Sequence, residues 1–336
     1  MTTDPVFGDG YAMQRIDLGA DAEGPLVATL VHRPPERPDS VPILVGHGWS
    51  DYVLDRELLE HLAARGLDVW ALDLRKHGRS LLPGQTPTEI DHLNRYDEEI
   101  DAALRIIGRD RPPIMLAHST GGLTAALWAV RHPGTIRALA LNSPWLEMHL
   151  GAAVRRLLSR PVSRLAGRLN TRPLLPQGVE HYARSVHRDY GGLYDYDLAL
   201  KPPGGHPFPA DTFAAVIDGQ SRLESAGPLA IPVLVMHSAR SVFGMEFTEA
   251  MRRADSVLDV KAMAEAAAQL GPDVRIEAIE GARHDVFLSD ADARHRAIEV
   301  LDDWLDVVLT GRHTMSGRGS KTERIPPVSS SSEGAG

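Results

Sequence analysis

Residues 112–129 read PPIMLAHSTGGLTAALWA, and the fold turns on how this stretch is read. It opens with an apolar run, Ile114-Met115-Leu116-Ala117, of the length of a buried strand. It turns at His118-Ser119-Thr120, passes through Gly121 and Gly122, and continues rich in Ala and Leu at helical spacing. Ser119 is thereby expected on a sharp strand-to-helix turn, which lifts a hydroxyl clear of the sheet and aims the following N–H groups at whatever binds there. Small residues at Ala117 and Gly121 let strand and helix approach closely. The usual nucleophile pattern, G-x-S-x-G, has glycine where this chain has Ala117. Alone, the stretch also allows a serine that merely caps a helix.

Working outward, strands and helices alternate. Ala12–Leu18 and Pro25–His32 read as short strands, after a loose stretch over residues 1–10. Val41–Val45 is a buried strand ending in Gly46-His47-Gly48-Trp49. A helix over 54–66 follows, with Leu54, Leu58, Leu59 and Leu62 on one face and Gly66 at its end. Leu67–Leu72 is a strand running into the polar loop Asp73–Ser80. Helix 96–107, the central strand and strand Ile136–Leu141 come next. After Ile231–His237, a helix over 261–270 and strand Val274–Ile279, an amphipathic helix closes the pattern at 290–309. This alternation predicts an α/β fold, a mostly parallel sheet with helices on both faces. In such sheets reacting groups gather past the carboxyl ends of the strands.

The pattern breaks between 145 and 226. Residues 150–169 look helical and carry Arg155, Arg156, Arg160, Arg164 and Arg168, read as a solvated face. Residues 172–209 are rich in Pro, Gly and Tyr, and 210–223 read as a helix. The expected organisation is a core of 1–144 and 227–310, an inserted helical cap over 145–226, and a disordered tail over 311–336.

Composition narrows the function. A net charge of -9 over 336 residues argues against a general nucleic-acid binder, whose phosphate contacts need a basic face. The absence of cysteine removes disulfides, a thiol nucleophile and thiolate metal sites, and suits the cytoplasm. The N-terminus MTTDPVFGDGYAMQR lacks the pattern of a signal peptide, and no apolar run reaches membrane-spanning length, so no stable membrane insertion is expected. No residue spacing argues for a metal site or a dinucleotide cofactor, and composition does not reach the oligomeric state.

Three residues fall at strand ends in the order Ser, Asp, His: Ser119, an Asp after IPVLVMH, and His284. A serine hydroxyl needs a base to take its proton, and the base needs a carboxylate to hold its tautomer. With Gly46–Trp49, the Asp73–Ser80 loop, the elbow, IPVLVMH and Gly281-Ala282-Arg283-His284, the chain from about 41 to 309, apart from the cap, resembles the α/β-hydrolase superfamily. Its nearest likeness there is to the lysophospholipase, monoacylglycerol-lipase and serine-aminopeptidase-like branch. The resemblance implies an α/β-hydrolase fold, Ser119 as nucleophile, His284 as general base and no cofactor. It places an oxyanion hole at the backbone N–H groups of Trp49 and Thr120.

The acid departs from the family pattern, in which an Asp follows the strand within a few residues. Here His237-Ser238-Ala239-Arg240-Ser241-Val242 holds no carboxylate. Ala254-Asp255-Ser256-Val257-Leu258-Asp259 fits the family's A-D-x-V-V, so Asp255 is the expected acid, moved by an inserted loop. Asp259 is the alternative and Glu246 the third; Asp255 could also simply cap the next helix. His47 is expected to fix the oxyanion loop by hydrogen bonding, His118 to be a neighbour of the elbow, and Asp285 a loop carboxylate. Trp49 and Trp145 are candidate walls of an acyl pocket. The expected activity is a serine hydrolase acting on a small-molecule ester substrate. The rival readings are an amidase or aminopeptidase, with Glu180, Asp189 or Asp195 holding the substrate amine, and a non-catalytic binding protein on the same scaffold.

Overall fold

The structure, a computed structural model, describes residues 1–147, 174–175 and 180–311. The arginine series at 155–168 and the tail at 312–336 lie outside these residues. A nine-stranded sheet is built from β1 (Thr2–Asp4), β2 (Gly8–Asp21), β3 (Gly24–Arg33), β4 (Pro42–Gly46), β5 (Asp68–Asp73), β6 (Ile114–His118), β7 (Ala138–Asn142), β10 (Val233–Ser238) and β11 (Val274–Ile279). Its order is β1-β2-β3-β5-β4-β6-β7-β10-β11. β1, β2 and β3 run antiparallel, as does β3 against β5; every other pairing is parallel. A separate pair, β8 (Leu174–Leu175) and β9 (Phe208–Pro209), joins two parts of the segment between β7 and β10, where the sequence pattern shows no strand.

Parallel strands with both faces covered must be apolar on both. Leu44, Met115, Ala117, Leu139, Leu141, Val233 and Val235 belong to one core. There they meet α2 (Asp97–Ile107), α3 (Ser119–Arg131) and α5 (Ala210–Glu224). Ile43, Val45, Ile114, Leu116, Ala138, Ala140, Leu234 and Met236 belong to the other, against α1 (Arg56–Ala64) and α7 (Ala291–Thr310). The shorter helix α6 (Val260–Ala267) adds Ala267 to the first core, while α4 (His181–Val186) stands apart, its Val186 clustering with Tyr52, Tyr196 and Leu288.

The first ten residues are not loose. Asp4 is fully buried; its carboxylate takes Arg79 Nε at 2.7 Å and the Phe7 N–H at 2.8 Å, while the Phe7 ring packs at a tilt against Tyr11. The buried cation at Arg79 needs this carboxylate, so the chain start is drawn onto the sheet edge as β1. The Asp73–Ser80 loop, read as polar, is buried throughout. Asp73 accepts from Arg79 and the Val53 N–H, and Arg75 pairs with the fully buried Glu99.

β5 and β6 leave the two sides of β4, so the chain switches direction across the sheet there. A crevice at such a switch point is where open α/β sheets bind ligands. The ends of β4, β6, β7, β10 and β11 all face it. No helix among the described residues is long and apolar enough to cross a membrane.

Candidate active site

Ser119 is the first residue of α3 and has φ +52°, a left-handed backbone that is uncommon for a side-chain-bearing residue. Strain of this kind costs on the order of 1–3 kcal/mol and persists only where the surroundings enforce it. They do so by close approach. A Cβ on Gly121 would stand 2.0 Å from the His47 carbonyl oxygen, so only glycine lets the β4 loop lie across the turn. A Cβ on Gly122 would stand 2.8 Å from Pro144. Ala117, the departure from the usual pattern, is tolerated because its register partner on β4 is Gly46.

Ser119 Oγ lies 3.0 Å from His284 Nε2, and His284 Nδ1 lies 2.8 Å from Asp255 Oδ2. All three residues are buried, Asp255 completely. A carboxylate only accepts, so the imidazole proton sits on Nδ1 and leaves Nε2 free to accept the serine proton. Asp255 Oδ1 accepts the N–H groups of Val257 at 2.7 Å and Leu258 at 2.8 Å, which fixes the carboxylate plane.

Asp255 reaches this place by way of a loop excursion. After β10 the chain runs on to Val242, leaves, and returns so that Ser241 and Asp255 form a parallel bridge. The Asp255 N–H donates to the Arg240 carbonyl, and the Val242 N–H to that of Asp255. Asp259 stays away from His284: its side chain caps α6, taking the Lys261 N–H at 2.9 Å. Glu246 is exposed on the excursion. His284 is framed by its neighbours. Arg283 binds Asp290 at 2.6 Å, and Asp285 accepts from Asn142 Nδ2 at 2.7 Å and from the Phe287 N–H.

The β4 loop lies beside the serine. His47 Nε2 accepts the Leu74 N–H at 3.1 Å, so its Nδ1 carries a proton and donates to the Gly48 carbonyl at 2.8 Å. Trp49 donates its indole N–H to Thr88 Oγ1 at 2.9 Å and packs on Phe208, ring centroids 4.5 Å apart. His77 lies behind the loop; its burial pushes it down to about 3, so it stays neutral.

A cavity of about 360 Å³ opens over Ser119 and His284, lined by Trp49, Trp145, Tyr182, Tyr196, Lys201 and Phe208 among others. That volume is at the small end of ligand pockets. Sequence reading missed its charged floor. Lys201 Nζ bonds Asp51 Oδ1 at 2.7 Å and sits over the rings of Tyr182 and Tyr196 at 5.3 and 5.4 Å. His118 stands 3.4 Å from the other Asp51 oxygen. Burial alone would raise the Asp51 carboxyl; Lys201, with His118, holds it well below the usual carboxylate range. Burial likewise keeps the Tyr182 phenol neutral by pushing it well up. Nothing in the local sequence marks Lys201, because its partner lies 150 residues away.

Among the described residues the one carboxylate cluster with metal-like spacing is Asp21, Glu23 and Glu89. Lys76 Nζ already sits among them, at 2.6, 2.7 and 2.5 Å. It is a closed ion-pair knot away from Ser119.

A mostly parallel sheet with crossovers on both faces, and a strained serine turn at its switch point, is the architecture of the α/β hydrolases. Within that fold the chain belongs to the family described as serine aminopeptidase, S33, whose profile matches residues 36–292. A monoacylglycerol lipase of Mycolicibacterium smegmatis is 30% identical over 209 residues, 60% of this chain and 71% of that protein. Lysophospholipase L2 of Escherichia coli is 32% identical over 112 residues, 32% of this chain and 33% of its own length. The crystal structure of Paleococcus ferrophilus monoacylglycerol lipase shares the fold, with a TM-score of 0.60 at 18% identity, covering 88% of this chain and 99% of that one.

Proposed function

We propose that the protein hydrolyses carboxylic esters through an acyl-enzyme on Ser119. The observation that carries this reading is the continuous path Ser119 Oγ–His284 Nε2–Asp255 Oδ2, with both contacts at hydrogen-bond length and the carboxylate fully buried. His284 takes the hydroxyl proton as Oγ attacks the ester carbonyl, and Asp255 stabilises the imidazolium that forms. The oxyanion is received by the backbone N–H groups of Trp49 and Thr120; donors of this kind contribute on the order of 3–4 kcal/mol. Thr120 lies in the first turn of α3, where N–H groups have no partner within the helix. His284 returns its proton to the leaving alcohol. Water then attacks the acyl carbonyl with His284 again as base, and Ser119 is restored.

The segment 145–226 is the substrate-selecting cap of this reading. Its described part already supplies Tyr182, Tyr196, Lys201 and Phe208 to the cavity. The relatives named as lipases agree with an acyl ester. The family's description raises the aminopeptidase alternative, which needs a carboxylate free to hold a substrate amine. Glu180, Asp189 and Asp195 are exposed and do not line the cavity among the described residues. Asp51 does line it, but Lys201 already neutralises it. This favours the ester.

A fluorophosphonate probe is expected to label Ser119 and to lose labelling in Ser119→Ala, with turnover of p-nitrophenyl acyl esters well above that of aminoacyl anilides. Faster cleavage of the anilides would overturn the ester assignment. A folded protein inert to probe and substrates alike would favour a non-catalytic binding role.

A further inference from the structure

We propose that Arg252 is a positioning residue for Asp255, one that fastens the segment carrying α4 to the loop carrying the acid. The inference rests on reading Ser119, His284 and Asp255 as one proton relay. A carboxylate placed directly after a strand inherits its position from the sheet. Asp255 instead stands where an eleven-residue excursion, 243–253, comes back, and beyond the Ser241 bridge its approach has to be held from outside the sheet.

The two residues just before Ala254 and Asp255 grip in different directions. Arg252 Nη1 donates to the carbonyls of Arg184 at 2.9 Å and Gly191 at 2.8 Å. Its guanidinium lies 5.0 Å from the Phe247 ring centroid, and its Nε binds Glu249 at 2.9 Å. Arg253 turns the other way, to Asp290 at 3.3 Å and Asp292 at 2.7 Å at the start of α7. The backbone that delivers Asp255 is thus strung between α4 and α7. α4 also reaches the relay from the opposite side. Tyr182 sets its ring edge on His284, centroids 5.8 Å apart, while His181 Nε2 lies 3.2 Å from the Gly244 carbonyl of the excursion. One short helix therefore fixes both the edge of the imidazole and the stem of its carboxylate.

A guanidinium suits this task because its rigid plane, lying by the Phe247 ring, aims both Nη1 hydrogens at two fixed carbonyls; an ammonium is a freely rotating point donor. Gly191 completes the fit: it has φ +85°, and a Cβ there would press on Arg252 Nη2 at 3.1 Å.

The test uses the whole chain in Arg252→Met, Arg252→Lys, Gly191→Ala and the Met/Ala double variant, with melting temperatures to check folding. Two readouts are taken: kcat and KM on a p-nitrophenyl ester, and the low-field proton NMR signal of His284 Nδ1–H in the free enzyme. Arg252→Met is expected to lower kcat about 10- to 100-fold, the cost of a misplacement of about 1 Å, with KM changed less than about threefold. The imidazole proton should shift or broaden. Arg252→Lys should fall between, and Glu249→Gln, which removes only an exposed partner, should match the parent. Gly191→Ala should also lower kcat, and the double variant should lose no more than the worse single, since both break one contact. Unchanged kcat with an unmoved imidazole proton, or losses that multiply, would overturn the proposal. If the parent shows no turnover and no probe labelling, yet the proton still responds to Arg252→Met, the clamp stands and the catalytic reading falls.

Discussion

Asp255→Asn separates the relay from every bland reading of this aspartate. Oδ1 accepts two backbone N–H groups, at 2.7 and 2.8 Å, and Oδ2 faces His284 Nδ1 at 2.8 Å. In the amide only one atom is an oxygen, and the two N–H donors hold it on the Oδ1 side. The NH2 group is then forced against Nδ1, which must become an acceptor. The ring proton moves to Nε2, the atom 3.0 Å from Ser119 Oγ, and the base is lost with little change of shape. A wrong tautomer in a relay of this kind costs about 10⁴ in kcat, or about 5 kcal/mol of transition-state stabilisation. The assay is kcat on a p-nitrophenyl ester beside the rate of fluorophosphonate labelling, both expected to fall together. Asp259→Asn is the control, since asparagine caps a helix about as well as aspartate. Activity above about a tenth of the parent in Asp255→Asn, or a comparable collapse in Asp259→Asn, would refute the reasoning.

Three further outcomes follow from the geometry. Gly121→Ala places a methyl 2.0 Å from the His47 oxygen, so the β4 loop must retreat; kcat should drop at least about 100-fold, with a lower melting temperature. Lys201→Met leaves Asp51 charged and buried without its partner, which should cost about 3–5 kcal/mol by urea denaturation, and replacing Asp51 by Asn as well should recover most of it. Lys76→Met should reverse the sign of an acid response. Burial would raise the Glu23 carboxyl, but hydrogen bonds from Lys76 and Thr86 bring it down from 4.5 to about 2. Its contribution to stability is therefore full above 4.5 and lost as pH falls toward 2. Without Lys76 the three carboxylates repel, so the variant should gain stability as pH falls from about 5 to 3, measured as the urea midpoint.

Much of the sheet was legible because buried parallel strands write themselves as short apolar runs between helices. Ile114–Ala117 and Ile231–His237 stand within a residue or two of β6 and β10. β1 was not legible: what makes Thr2–Asp4 a strand is the Asp4 bond to Arg79, 75 residues away. The burial of the Asp73–Ser80 loop was hidden for the same reason, since its charges are answered from β2, α2 and the chain start. At the site, Ser119 and His284 follow strands and carry a local signature. Asp255 was suggested only by a likeness in its flanking residues, and the Ser241 bridge that places it has no local signature. Lys201, Asp51 and Thr88 left no signal at all, because each acts through one distant contact.

The bridge between Ser241 and Asp255 has a consequence for how this molecule can change. It closes the neck of the excursion, so what lies beyond the neck is nearly free to vary in length; doubling a flexible loop costs only about 0.6 kcal/mol. Residues added between the exposed Met245 and Glu246 would leave the Gly244 and Phe247 contacts, both stems and both arginine grips where they are. A lineage could lengthen, shorten or decorate that loop, and acquire new surface beside the cavity mouth, without disturbing the carboxylate it delivers.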